Sequence, residues 1–96
     1  MGALDEPWFQ FWPGEVLRAQ GRHTEAAELL RSTLASVDEG WVFYRSRIAL
    51  SLARALLGAD RQREAIDAAN IALRLVEPRG DIASTRKVRS FLAASS

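Results

Sequence analysis

The sequence predicts an all-α chain built as a short α-hairpin repeat array, two units followed by a C-terminal capping helix. Three observations carry this. From residue 15 onward apolar residues recur at three- and four-residue steps, the spacing of one helix face. No stretch alternates with the period of two that a half-buried strand requires. The pattern R-x-x-E-A occurs twice, at Arg22–Ala26 and at Arg61–Ala65, thirty-nine positions apart.

The elements follow in order. Pro7 suits the first turn of a helix, where its missing N–H would be unpaired anyway. Pro13 and Gly14 then predict a kink or break in that helix. Val16 and Leu17 lead to Gly21, a residue type that commonly ends helices. Thr24 to Ser36 is an amphipathic helix with Ala26, Leu29, Leu30, Thr33 and Leu34 on its apolar side, and Asp38-Glu39-Gly40 breaks it. Trp41 to Leu57 is the longest segment, with a stripe of Tyr44, Ile48, Leu52, Ala53 and Leu56, and Gly58 is expected to close it. Asp60 is expected to cap the next helix, where Ala65, Ile66, Ala69, Ala72, Leu73 and Val76 repeat the pattern. Glu77-Pro78-Arg79-Gly80 is a stop signal. Asp81 is the expected cap of a last helix bearing Ile82, Val88, Phe91 and Leu92.

The same offset of thirty-nine pairs Gly14 with Ala53, Leu17 with Leu56, Thr33 with Ala72 and Leu34 with Leu73. Small residues at matched positions let two helices approach closely, and matched leucines fill the space beside them. Leu52-Ala53 with Leu56, a polar turn, Glu64-Ala65-Ile66, Ala69, Ala72-Leu73 and Leu75 before Glu77-Pro78 resembles a tetratricopeptide repeat. The first unit matches through Leu17, Gly21, Glu25-Ala26, Leu30 and Leu34. The departures are Asp60 in place of the turn glycine, Ala69 in place of a large side chain, and a spacing longer than the family's usual ~34 residues. The resemblance implies units over residues 8–37 and 41–77 with a capping helix over 81–94. Trp41-Val42-Phe43-Tyr44-Arg45, the run Leu52–Leu56 and the segment Ser84–Arg89 also resemble the C-terminal repeat regions of actinobacterial helix-turn-helix transcriptional regulators. There, degenerate repeats follow an N-terminal DNA-binding domain. Two units and a terminal helix are fewer than the three repeats a stable stack usually needs. Dimerisation, membership of a longer protein, and capping by the chain's own ends all remain open.

Composition narrows the function. Ninety-six residues suffice for one small domain, and 48% hydrophobic with 26% charged residues is ordinary for a globular chain. Thirteen basic against twelve acidic residues leave a net charge of +1, which argues against a chain built to hold nucleic acid or an anionic membrane. Twelve of the thirteen basic residues are arginine and sixteen residues are alanine, a bias that GC-rich bacterial coding also produces. With no cysteine and one histidine, His23, neither a metal site nor a cofactor is expected. No membrane-spanning run and no basic signal-peptide start are present, so the expected location is the cytoplasm.

Seven of the eight aromatic residues fall in two clusters, Trp8-Phe9-Phe11-Trp12 and Trp41-Phe43-Tyr44. Trp8 and Trp12, four apart, share a helix face and serve either the core or a partner surface; Trp41 and Tyr44 lean toward the core. The resemblance implies that the first helix of each hairpin lines a concave face. Trp8, Phe11, Trp12, Glu15 and Arg18 would then share a groove with Arg47, Leu50, Ser51 and Arg54. An aromatic floor beside arginines suits a peptide with an acidic or carboxyl-terminal group, since arginine grips carboxylates with two hydrogen bonds. The plainer alternative makes Arg47 and Arg54 ordinary solvated charges.

The basic run Arg86-Lys87-Val88-Arg89 reads as a solvated capping face, and direct nucleic-acid binding is not expected. His23 reads as an exposed turn histidine. Glu25/Glu28 and Glu64/Asp67 read as surface ion-pairing partners of nearby arginines. With no nucleophile elbow and no phosphate-binding glycine loop, no enzyme activity is expected. The function expected is a protein- or peptide-interaction module from a bacterial transcription regulator; the alternative is a self-associating homodimeric scaffold.

Overall fold

A computed structural model describes residues 8–95, with side chains from Pro13 onward. Among these residues there is no strand, and five α-helices follow one another: α1 (Trp8–Ala19), α2 (His23–Ser36), α3 (Val42–Gly58), α4 (Gln62–Val76) and α5 (Ile82–Ser95). A 3-10 turn, Glu77–Arg79, joins the last two. Each helix packs on its neighbour in the chain, and α1 also touches α3. The ends fix the direction of α2 against α3: His23, at the start of α2, lies against Gly58, and Arg45, near the start of α3, reaches the last carbonyls of α2. The shortest extent of the molecule is 18 Å, room for two layers of helices at their usual spacing of about 8–10 Å.

Three of the four turns between helices share one backbone solution. After α1, Gly21 takes φ +79°, its N–H bonds the carbonyl of Arg18, and the N–H of Arg22 bonds Leu17. After α3, Asp60 takes φ +64°, its N–H bonds Leu57, and Arg61 bonds Leu56. After the 3-10 turn, Gly80 takes φ +71°, with bonds to Glu77 and from Asp81 to Val76. This is the left-handed helix stop in which paired bonds satisfy carbonyls that the helix leaves open. The first two turns lie thirty-nine residues apart, the interval at which R-x-x-E-A repeats. Each is followed by an arginine that pairs with the glutamate three residues on, Arg22 with Glu25 at 2.6 Å and Arg61 with Glu64 at 3.8 Å.

Asp60 therefore does not cap α4 as expected. The position before α4 is Arg61, with no side-chain cap, because Asp60 is used one step earlier to end α3. Gly58 closes α3 as its last helical residue, although the left-handed stop falls at Asp60; a Cβ at Gly58 would collide with the ring of His23, so the glycine also makes room for that ring. His23 accordingly is not an exposed turn residue but the half-buried first residue of α2, with a buried Nδ1. Asp81 does cap α5: its Oδ1 accepts the N–H of Ser84 at 3.1 Å, and the hydrogen bonds from Ser84 hold its carboxyl below the usual carboxylate range.

The expected break at Pro13-Gly14 is absent. Helix α1 runs through Pro13 without interruption. Proline removes one backbone bond there, but Gly14 is buried and presses directly on α2: a Cβ at Gly14 would sit 2.7 Å from Leu30. The glycine that looked like a helix breaker is a close contact between the first two helices, and tertiary packing overrides local propensity.

The core is a seam of alanine and leucine. Nine of the seventeen buried apolar residues described are alanines, so helices gain contact by backbone proximity rather than by large side chains. Helix α3 lies at the centre. Its buried residues are Ser46, Ile48 through Ala53, Ala55 and Leu56, which cover most of its circumference rather than the one stripe expected. Buried hydroxyls are satisfied locally: Thr33, Ser46 and Ser95 donate to the carbonyls of Leu29, Phe43 and Phe91, each at 2.8 Å. Tyr44 packs against the core as expected, whereas Trp41 and Phe43 are exposed, with Trp41 tilted on Tyr44 at 5.4 Å between ring centres.

Two stability predictions follow from this geometry. Asp60→Gly relieves a left-handed non-glycine residue and is expected to raise stability by about 0.5–1 kcal/mol, read from urea midpoints. Gly14→Ala is expected to cost roughly 1–3 kcal/mol by overpacking. Leu30→Ala opens the space that the added methyl needs, so the double variant should be less destabilised than the sum of the two single changes, measured by a double-mutant cycle.

Candidate functional site

The site begins with one carboxylate. Glu15 stands midway along α1 and faces Ser51, midway along α3 and buried. The Ser51 hydroxyl donates to Oε2 of Glu15. From one turn further along α1, Arg18 closes a two-pronged grip, Nε to Oε2 at 3.2 Å and Nη2 to Oε1 at 3.1 Å. Partial burial by itself would raise the carboxyl pKa of Glu15. The hydrogen bonds from Arg18 and Ser51, with the charges of Arg18 and Arg54, outweigh that and hold it below the ordinary value. Glu15 is thus a fixed negative charge and a weak proton acceptor at neutral pH.

Beside this contact lies a cleft of about 230 Å³. Glu15 forms the α1 side, while Phe43, Ser46, Arg47, Leu50, Ser51 and Arg54 of α3 form the floor and one wall. Val76 and three residues of α5, Ser84, Lys87 and Val88, form the other wall. Helix periodicity explains the α3 contribution, since residues 43, 47, 50 and 54 fall on one face. Arg47 lies over the ring of Phe43, 5.5 Å from its centre, which braces the guanidinium beside the opening.

Of the residues expected from the sequence, Glu15, Arg47, Leu50, Ser51 and Arg54 border this cleft together. Arg18 does not line it but is tied to it through Glu15. The side chains of Trp8, Phe11 and Trp12 lie outside the described residues. Sequence reasoning missed the α5 wall.

The chain matches no family model, no curated protein and no solved structure. The site therefore rests on its own geometry.

Of the carboxylates expected to pair on the surface, two do: Glu25 holds Arg22, and Glu64 takes both Arg61 and Arg31, the latter reaching over from α2 at 3.2 Å. Among the described residues no group of three or more His, Cys, Asp or Glu side chains could hold a metal ion, and no helix is long and apolar enough to cross a membrane.

The lowered pKa of Glu15 makes a pH prediction. A carboxyl whose pKa is depressed by folding contributes stability above its unfolded value, and that contribution is lost as pH falls through the folded value. Glu15→Gln should therefore lower the melting temperature at pH 7, and the difference from the parent chain should shrink below about pH 4.3, followed by circular dichroism.

Proposed function

We propose that this chain is a non-enzymatic protein- or peptide-interaction module of tetratricopeptide-like build, with the cleft between α1, α3 and α5 as its binding site. The observation that carries the reading is the convergence of Glu15, Ser51, Arg47 and Arg54 from two helices on one opening, with Leu50 between them. A concave site with a few placed polar groups and an apolar patch is the usual form of a peptide-recognition surface. Two hairpins with the same turn, thirty-nine residues apart, support the repeat reading. The resemblance of Trp41–Arg45, Leu52–Leu56 and Ser84–Arg89 to regulator sequences supports a place in the regulatory part, or a remnant, of a bacterial transcription regulator acting in the cytoplasm.

Selection of a random peptide library on the immobilised chain tests this. Peptides enriched on the parent chain should lose binding at least tenfold on Ser51→Arg, which fills the cleft, while Ser32→Arg on exposed surface leaves binding unchanged; the tenfold threshold corresponds to about 1.4 kcal/mol. Circular dichroism must show both variants folded. Failure to enrich any peptide, or equal binding by folded Ser51→Arg, would overturn the reading.

A further inference from the structure

The cleft does not end at its own rim. A second, more open depression of about 570 Å³ lies alongside it, lined by Arg54, Ala83, Arg86, Lys87, Ser90 and Phe91. The two share Arg54 and Lys87. They therefore form one trough that crosses from α3 onto α5, with those two cations at its middle. Arg47 stands on one side of the pair and Arg86 on the other.

Among the described residues the charge along this trough is one-sided. Four cations of two helices line it, and the one described carboxylate in either lining is Glu15, at the α1 end. This local excess stands on a chain whose overall charge is only +1, so it is a placed feature rather than the expression of a basic protein. Apolar contact is also available, through the exposed Phe43 at the Arg47 end and the half-buried Phe91 in the second depression.

We infer that the trough takes an acidic peptide segment laid across α3 and α5, with Arg54 and Lys87 gripping its central carboxylates. This rests on the reading of the cleft as a peptide site and adds the partner's charge, its path and its second wall. Glu15 sets one limit of the path. A carboxylate brought to the α1 end would meet a fixed negative charge, so the acidic stretch is directed toward α5. Glu15 acts here as a specificity-determining residue.

A fluorescein-labelled octaglutamate peptide, titrated with the intact chain and followed by anisotropy, is the probe. It should bind, more weakly as salt is raised, and octalysine should not. Arg54→Ala and Lys87→Ala should each weaken binding by roughly three- to fivefold, the effect of losing one partly exposed ion pair. Arg31→Ala, whose side chain lines neither depression, should leave binding unchanged. Glu15→Gln should tighten it. Arg54 and Lys87 are exposed, so these variants keep the fold.

Equal losses with Arg31→Ala would reveal mere charge attraction and overturn the inference. So would octalysine binding as tightly, or octaglutamate not binding at all. If library peptides lacking acidic residues bind the parent chain and are blocked by Ser51→Arg but not weakened by Arg54→Ala, this inference fails and the interaction-module reading survives. If no library peptide is selected, that broader reading fails first.

Discussion

The structure depends on the burial of α3. This helix touches α1, α2 and α4, and its residues from Ile48 through Ala53 leave no side free for solvent over a turn and a half. Such a helix must be apolar almost all round or carry polar groups that are satisfied on the spot. Both conditions are met: alanine and leucine fill most positions, Ser46 turns back to its own backbone, and Ser51 spends its hydroxyl on Glu15. Alanine at positions 49, 53 and 55 brings the neighbouring backbones close, and Gly14 does the same where α1 meets α2. A small side chain contributes little by its own area, so stability here comes from many close backbone contacts rather than a few large anchors.

That construction also locates the site. Because α3 is enclosed at its middle, the side chains that escape to the surface do so along one edge, at Phe43, Arg47 and Arg54. The neighbours that fail to cover this edge, α1 and α5, leave the cleft between them. The charge of Glu15 is held there by groups from α1 and α3 together, so one hydrogen-bonded contact serves both to join these helices and to set the electrostatic character of the opening.

Much of this was legible in the sequence. Helix number, the positions of the turns and most of the buried alanines and leucines follow from apolar spacing and from punctuation by glycine, because those signals are local. That Glu15 and Ser51 border one groove was expected from the resemblance to a repeat, whereas their hydrogen bond was not. What escaped depends on which atoms come close in three dimensions. Pro13-Gly14 reads locally as a breaker and is in fact a contact with Leu30. Gly58 reads as a stop and does close α3, but that it also leaves room for His23 is not visible in the letters. Asp60 reads as the start of α4 and is in fact the end of α3, since an aspartate before a helix and one in a left-handed turn look alike in a string of letters. The wall supplied by α5 escaped because a short run of basic residues carries no mark of which side it faces.

The junctions between helices differ in how they are secured. The turns at Gly21 and Asp60 are held by main-chain bonds, without side-chain caps on the helices that follow. The passage from α2 to α3 is held otherwise: the guanidinium of Arg45 donates through Nη1 to the carbonyls of Val37 at 2.9 Å and Leu34 at 3.3 Å. Each of these two turns is thus closed by main-chain bonds, while the junction between the first hairpin and the rest adds a side chain. Since Arg45 lies outside the cleft lining while Glu15 and Ser51 tie α1 directly to α3, substitution of Arg45 acts on the α2–α3 junction and leaves the walls of the opening chemically unchanged.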